Sequence, residues 1–259
     1  MLHINDDVVA CAKIVEKGDP ARFRAAMAVP PRYRPALFAL YAFNLETSRA
    51  PWMSQETMIA EMRLQWWHDA LEEIANAIPH RRHEIIRPLA HVVTPSNAQV
   101  LQRLVAARRW DIYKDPFADQ EDFEAYIEAT STSLLYVAAS MLGKIDSSVL
   151  NHFGYASGLG RFFLAVPQLL NNQRQPLLDL SSDALRMQAQ IGLGRLYNAR
   201  SKRKDVSREA GYAFLAGWQT GVILKNAIKY PEKILSGGLI NHERAHSASL
   251  IFRSLTGMW

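Results

Sequence analysis

Residues 54–79 read SQETMIAEMRLQWWHDALEEIANAIP, and their pattern indicates the type of fold. Ser54 is a favourable helix N-cap, and Pro79 ends the segment because proline cannot continue a helix. Between them, apolar residues recur every three or four positions, as on one face of an amphipathic helix. The predicted apolar stripe consists of Ile59, Met62, Trp66, Ala70, Ile74 and Ala77. Neighbours on a helix lie about 100° apart, so we expect Trp66 in the core and Trp67 beside a cavity or an interface.

The same helical pattern recurs along the chain between clusters of proline, glycine, asparagine and aspartate. Alternating strands bounded by hairpin turns are absent. Further helices are therefore predicted over residues 5–17, 31–50, 85–92, 96–115, 120–142, 147–171, 182–203, 207–230 and 242–255. Because the helices are long and their connections short, the sequence predicts an all-α protein. We expect one helical bundle over residues 1–259 with a central cavity.

Composition agrees with a packed bundle. Of the 259 residues, 49% are hydrophobic and 21% are charged, which argues against disorder. No apolar stretch approaches the roughly 20 residues that span a bilayer. Cys11 is the single cysteine, so we expect a free buried thiol and a reducing compartment. The first residues show neither a signal-peptide nor a transit-peptide pattern, which predicts a cytoplasmic location.

The chain carries a net charge of +5, and its basic residues concentrate in one run. One interpretation is a solvated helix end, and the other is reversible contact with an anionic membrane surface, on the inner membrane face. Nucleic acid is excluded as a partner because only Tyr197 offers an aromatic ring within the run. The run comprises Arg195, Arg200, Lys202, Arg203, Lys204 and Arg208.

Four stretches resemble the squalene/phytoene synthase family. They are RYRPALFALYAF at 32–43, RLQWWHDAL at 63–71, RWDIY at 109–113 together with Tyr126, and the segment 154–172. The resemblance implies the isoprenoid synthase fold and the joining of two prenyl diphosphates. It also implies two DxxxD motifs on facing helices, whose carboxylates bind the Mg²⁺ ions that bridge the diphosphate.

The positions that match those aspartates carry no carboxylate. The first motif falls on Ser48, Arg49 and Trp52, and the second on Ala165 and Leu169. We therefore expect no catalytic residue, no metal site and no cofactor, with Mg²⁺ required only if the chain is an active transferase. The resemblance also suggests residues that line a cavity or bind a ligand, namely Arg34, Tyr41, Phe43, Arg63, Trp67, Tyr126 and Phe162.

Three segments, NLETSRAP, MRLQWWHDALEEI and YIEATSTSLLYVAASMLG, resemble a branch of the family that lacks the aspartates. That branch is related to the mitochondrial complex I assembly factor and is regarded as non-catalytic. The resemblance favours a binding or respiratory-complex assembly protein. Its implied partners are an apolar or prenyl-like ligand and a respiratory-complex subunit. The alternative is an active head-to-head prenyltransferase that condenses prenyl diphosphates in isoprenoid biosynthesis.

Other polar groupings have ordinary structural explanations. His68, Asp69 and Glu72 form either a metal site or a solvated helix face, and such clusters are more often solvated. No strand precedes the glycines of segment 154–160, so they predict close helix packing and not a nucleotide loop. Two further DxxxD spacings fall at predicted helix ends, and neither is favoured as a metal site. Asp111 pairs with Asp115, which precedes Pro116 and so leaves helical geometry. Asp179 and Asp183 flank a predicted helix start, where aspartate is favoured as a cap.

Overall fold

A computed structural model describes residues 5–54, 56–240 and 245–259. It is 76% helical, and these residues contain no strand, which confirms the predicted all-α class. The α-helices are α1 Asp6–Gly18, α2 Pro20–Ala28, α3 Arg34–Arg49, α4 Thr57–Ala75, α5 Ile86–Ala90, α6 Pro95–Ala107, α7 Gln120–Ile127, α8 Ser133–Ser140, α9 Ser147–Asn171, α10 Ser182–Ser201, α11 Arg208–Phe214, α12 Thr220–Lys229, α13 Glu232–Ser236 and α14 Ala245–Thr256.

Helix ends follow local side-chain chemistry, with three departures from the predictions. Thr94, and not Ser96, caps α6 by accepting from the backbone N–H of Asn97. Ser54 bonds the N–H of Glu56, but α4 begins later, at Thr57. The predicted helix over 207–230 is divided by a 3₁₀ turn at Leu215–Gly217. The predicted helix over 242–255 falls partly on residues 242–244, outside the described residues.

Helix α2 was absent from the sequence predictions. The segment Gly18-Asp19-Pro20 ends α1, but it also starts α2. Asp19 accepts from the backbone N–H of Arg22, and Pro20 occupies the first helical position. Proline is favourable there because an N–H at that position would have no acceptor within the helix. This short helix brings Asp19 and Arg22 to the centre of the molecule.

The buried face of α4 differs from the predicted stripe. Its core residues include Leu64, Trp67 and Leu71, whereas Met62 is 66% exposed. The expected roles of the two tryptophans are exchanged. Trp67 packs edge-on against Phe43 in the core, with ring centroids 5.5 Å apart. Trp66 is half-buried, and the guanidinium of Arg81 lies 4.9 Å from its ring. Apolar residues lie on both faces of α4, so periodicity alone could not show which face is buried.

The predicted helix over 120–142 is continuous but contains a π-helical segment at Glu128–Thr132, between α7 and α8. This segment lies directly against α9. A Cβ atom at Gly158 would approach the Ser131 Cβ to 2.7 Å, and one at Gly154 would approach the Thr132 Cα to 2.8 Å. Both distances are below normal contact, so glycine is needed for this approach. The close packing predicted for these glycines is therefore present.

Helices α3 and α9 run through the core, with α1 packed on α3, and α10 and α12 packed on α9. Helix α4 packs on α6 along one side. Between α3, α9 and the π-helical segment lies the predicted central cavity. None of the helices in the described ranges is long and apolar enough to cross a bilayer.

Candidate functional site

The central cavity has a volume of about 420 Å³. Since one water occupies about 30 Å³ in the liquid, this space exceeds a few water molecules. Its walls are the end of α3 with the following turn, the carboxyl half of α9, residues 126–131, the start of α2, and the 3₁₀ turn Arg108–Asp111. The π-helical distortion places Thr130 and Ser131 in the wall, and such distortions are frequent at functional sites.

All five positions that match the family's aspartates lie in this wall. Ser48 donates its hydroxyl to the Leu45 carbonyl at 2.8 Å, and Arg49 forms a 3.6 Å ion pair with Glu46. Trp52 follows in the turn after α3. Across the cavity, α9 presents Ala165 and Leu169. The two facing helices are therefore placed as the resemblance implies, but they carry a hydroxyl, a cation and apolar groups.

Asp19 lies on one wall between two arginines. Its Oδ2 is 3.1 Å from Arg22 Nη1 and 2.9 Å from Arg161 Nη1. Arg161 also donates to the Ala216 carbonyl. Burial acts to raise the pKa of Asp19, but Arg161 and Arg22 outweigh it and hold the pKa well below its usual value. Burial and the nearby Arg161 together lower the pKa of Arg22 to about 10.

Asp111 lies on a second wall of the cavity with one arginine and one phenol. Arg108 Nη1 is 3.3 Å from Asp111 Oδ2 and 2.9 Å from the Tyr126 hydroxyl. The Tyr126 hydroxyl donates to Asp111 Oδ1 at 3.0 Å. Burial raises the pKa of Asp111, although Arg108 and Tyr126 oppose that shift. Burial, together with the neighbouring Asp111, also raises the pKa of Tyr126.

Arg174 supports the second wall from behind. It donates to the backbone carbonyls of Trp110, Asp111, Ile112 and Tyr113, and so fixes the turn that carries Asp111. Its guanidinium also lies 4.9 Å from the Trp52 ring. One side chain thereby joins the turn after α3 to the segment 110–113.

The sequence profile of the Squalene/phytoene synthase family matches residues 15–213. The chain belongs to this family. Two solved structures share its fold. A dehydrosqualene synthase in complex with ligand superposes with a TM-score of 0.77 at 13% identity, covering 96% of this chain and 95% of that one. Squalene synthase HpnC from Alicyclobacillus acidocaldarius gives 0.70 at 16% identity, covering 86% and 93%. The predicted isoprenoid synthase fold is therefore confirmed.

Relatives identified by sequence similarity carry other names than these synthases. The chain is 32% identical over 183 residues to the Drosophila melanogaster protein named NADH dehydrogenase (ubiquinone) complex I, assembly factor 6 homolog, covering 66% of this chain and 53% of that protein. The Homo sapiens complex I assembly factor 6 is 28% identical over 163 residues, covering 61% and 48%. The chain therefore spans about half the length of the curated relatives that it matches.

Mg²⁺ does not fit the residues in this cavity. Magnesium prefers oxygen ligands, usually carboxylates with several waters. The cavity wall has two carboxylates, Asp19 and Asp111, and arginine or tyrosine donors engage both. Four arginines share the same wall, so a divalent cation would meet net positive charge. This squalene/phytoene synthase family member has no set of free carboxylates in the wall of its cavity.

The suggested cavity residues divide into two groups. Tyr126 and Phe162 line the central cavity, and Tyr41 lines a small adjoining space with Arg22 and Arg161. The other four do not line the central cavity. Phe43 is fully buried against Trp67, because α3 turns this side chain away from the cavity. Arg34, near the start of α3, donates instead to the Val29 carbonyl at 2.9 Å.

Arg63 and Trp67 line a separate outer pocket of about 250 Å³, together with Trp66 and His83. Glu46 of α3 also lines this pocket, so it faces away from the central cavity, whose lining lacks Glu46. The RLQWWHDAL segment therefore does not contribute to the central cavity. Its tryptophans instead fix α4 against α3 and the segment around His83, through edge-on or tilted ring contacts.

Other predicted groupings lie outside the cavity. The side chains of His68, Asp69 and Glu72 offer ligand atoms within 4.8 Å of one another, on a partly exposed face of α4. Asp115 is exposed, and Asp183 pairs with Arg186 at the surface. The expected free thiol of Cys11 is buried.

The predicted basic run is divided by internal contacts, which corrects its treatment as one surface cluster. Arg195 pairs with Glu124 at 2.9 Å, while Arg200 and Arg203 both donate to the Trp259 carbonyl. Of the six basic residues of the run, the remaining three are exposed to solvent. Those three are Lys202, Lys204 and Arg208.

Several polar residues of the cavity were not predicted. Asp19 and Arg22 were missed with α2, although an aspartate followed by proline is a recognisable helix start. Arg108 and Arg161 had no motif of their own. Asn44 belongs to the NLETSRAP segment, but its side chain was not considered a cavity group. Asp111 was considered only as part of a DxxxD spacing at a helix end, whereas it is buried beside Arg108.

Proposed function

We propose that this chain is a non-catalytic binding protein that assists the assembly of a respiratory complex. One observation carries the proposal: the wall positions that match the family's aspartates hold Ser48, Arg49, Trp52, Ala165 and Leu169. The diphosphate leaving group needs metal ions to bind its concentrated negative charge. Among the described residues, neither facing helix presents a carboxylate to the cavity, so the ionisation step lacks the metal ions that would polarise the leaving group.

The names of the curated relatives supply the biological direction of the proposal. Proteins of two animal species that this chain resembles are named complex I assembly factor 6 or its homolog. We therefore propose a subunit of that type of respiratory complex as the protein partner. The likeness to squalene and dehydrosqualene synthases is a likeness of fold, and fold does not imply function.

Turnover assays test the absence of catalysis. The purified chain should form no squalene-like or phytoene-like product from farnesyl or geranylgeranyl diphosphate with Mg²⁺. Substituting Ser48→Asp together with Trp52→Asp should not restore activity, because Ala165 and Leu169 leave the second helix without ligands. An active squalene synthase assayed in parallel provides the control. Steady product formation that stops in chelator would establish the prenyltransferase alternative instead.

A pull-down from native membranes tests the partner. Tagged protein should enrich respiratory-complex subunits, identified by mass spectrometry, over a tagged unrelated helical protein of similar charge. Enrichment should be strongest while the complex is being newly synthesised, since an assembly factor leaves the finished complex. Equal recovery of these subunits with both baits would contradict the proposal.

For localisation, we propose a cytoplasmic protein that binds an anionic inner-membrane face reversibly. Lys202 and Lys204 are exposed, and anionic lipid attracts each basic residue by about 1 kcal/mol near the surface. Helix α14 supports this with an exposed apolar row at Ile251, Phe252 and Leu255. Arg253 of α14 lies near Arg200 and Arg203, so the row and the basic run belong to one region.

Liposome flotation tests the membrane contact. Recovery with anionic vesicles should exceed that with neutral vesicles and should fall between low and physiological salt. Lys202→Glu with Lys204→Glu should reduce it, whereas Lys13→Glu with Lys17→Glu, on α1, should not. Equal recovery with both lipid types would leave these charges with a solubility role alone.

A further inference from the structure

The arginines of the central cavity are not fully matched by acidic groups. Arg22, Arg49, Arg108 and Arg161 line it, against Asp19 and Asp111. Arg108 is paired with Asp111, and Arg49 is held from outside the cavity by Glu46. Arg22 and Arg161 must share Asp19 alone. Even when Glu46 is counted, one guanidinium charge therefore lacks a counter-ion in the wall.

Hydrogen-bonding capacity in the same wall is also unused. The Nε atoms of Arg22 and Arg108 are buried and have no partner among the described residues. Asn44 is 5% exposed, and its Oδ1 has no partner there either. An unpaired buried polar atom costs free energy, and a buried cation without a full counter-charge costs more. Burial and the neighbouring Arg161 already depress the pKa of Arg22 to about 10, as expected for a cation in need of an anion.

We propose that the cavity binds a phosphate group directly through these arginines, without a metal ion. Guanidinium groups are suited to phosphate because their N–H donors match two phosphate oxygens at once. Arg161 and Arg22 form the charged end of the site, and Arg49 approaches from the end of α3. Asn44 lies in the same wall and adds an amide group, whose N–H can donate to a phosphate oxygen.

The rest of the wall indicates what can be attached to the phosphate. Phe162, Leu169 and Ile127 provide apolar surface in the same cavity. A volume of about 420 Å³ exceeds that of a phosphate group, so an alkyl chain can occupy the remainder. The shared chemistry is a phosphate group, and its source is either free phosphate or the head of a phosphate-bearing amphiphile. This inference rests on the proposed non-catalytic function, since the ligand is held and not consumed.

Calorimetry in excess chelator tests the proposal with inorganic phosphate, dodecyl phosphate and uncharged dodecanol. Phosphate-bearing probes should bind and dodecanol should not. If inorganic phosphate binds as tightly as dodecyl phosphate, free phosphate is the source. At least tenfold tighter binding of dodecyl phosphate would identify an amphiphile. Binding of dodecanol as strong as that of dodecyl phosphate, no binding of either phosphate probe, or binding that requires Mg²⁺ would overturn the proposal.

Matched arginine variants localise the binding. Arg161→Gln should weaken phosphate binding about tenfold or more, as expected for the loss of a charge-assisted hydrogen bond. Arg195→Gln is the control, because Arg195 also pairs with one carboxylate and is 34% exposed against 30% for Arg161. Arg49→Gln provides a second cavity variant that should leave the fold intact, since Arg49 is 44% exposed. Unchanged affinity in both cavity variants would place the phosphate elsewhere and overturn the proposal.

Failure of this inference is distinguishable from failure of the proposed function. Magnesium-dependent turnover of prenyl diphosphates would remove the non-catalytic proposal, whatever the phosphate titrations give. Absence of both turnover and phosphate binding would remove only the phosphate site and leave the non-catalytic proposal in place.

Discussion

Each of the two walls of the cavity carries an aspartate paired with arginine, but the pKa values of the two aspartates shift in opposite directions. On the first wall, Asp19 accepts from Arg22 and Arg161, so one carboxylate serves two cations. On the second wall, Asp111 accepts from Arg108 and from the Tyr126 hydroxyl, so its charge is balanced by one cation. The pKa of Asp19 is lowered by its arginines, whereas burial raises that of Asp111.

This difference locates the functional end of the cavity. A balanced pair such as Asp111 with Arg108 satisfies itself and mainly holds the segment 108–126 together. The Asp19 group retains positive charge and therefore attracts an anion. In a fold whose relatives use facing carboxylates, the loss of negative charge at Ser48 and Ala165 leaves the arginines as the dominant charges of the wall.

Removing Asp19 should produce the largest effect. Asp19→Ala leaves Arg22 and Arg161, which are both largely shielded from solvent, without their carboxylate and also removes the cap of α2. We expect the free energy of unfolding to fall by about 3 kcal/mol, measured by urea denaturation. Asp183→Ala is the control, because Asp183 also pairs with an arginine three residues later but is 93% exposed. A similar small loss in both variants would show that the Asp19 pair is no stronger than a surface pair.

Acid titration should separate the two aspartates by sign. The pKa of Asp19 is lower in the folded chain, so its stabilising contribution is present above the unfolded pKa near 3.9 and is lost as pH falls through the folded value. The pKa of Asp111 is raised, so its contribution is largest at low pH and is lost as pH rises through the folded value.

The measurement compares urea midpoints of the wild type, Asp19→Asn and Asp111→Asn between pH 3 and pH 7. The stability advantage of the wild type over Asp19→Asn should shrink toward pH 3. The advantage over Asp111→Asn should grow in the same direction. Parallel pH curves for the two variants would remove the electrostatic distinction between the walls.

The fold could be predicted from the sequence because helix signals are local. Caps at Asn5, Asp119 and Asp146, and the long periodic stretch that forms α9, depend on residues close in the chain. The absence of carboxylates at Ser48 and Ala165 could likewise be predicted, because those positions follow from a motif. Single-sequence patterns gave only part of the buried face of α4, because Ala70 and Ile74 of the predicted stripe are buried whereas Met62 is exposed.

The charged cavity could not be predicted, because its contacts join distant segments. The ion pair between Asp19 and Arg161 spans 142 positions, and the four bonds of Arg174 reach back more than 60. No local spacing encodes such pairs. Phe43 and Trp67 illustrate the converse error. They belong to segments with strong family resemblance, but their contacts hold α3 against α4 and leave both side chains outside the central cavity.

The smallest predicted effect concerns the link between the turn after α3 and the second wall. Trp52→Leu removes the aromatic ring that lies 4.9 Å from the Arg174 guanidinium. Such cation–π contacts contribute about 0.5–1 kcal/mol at partly exposed sites, so urea denaturation should show a loss in that range. Trp52→Phe is the matched control and should retain most of the stability, because a ring remains. Arg174 fixes the carbonyls of residues 110–113, so hydrogen exchange should quicken in that segment and stay unchanged in α2. Faster exchange in α2 as well would show that the two walls are mechanically coupled and respond to the substitution as one unit.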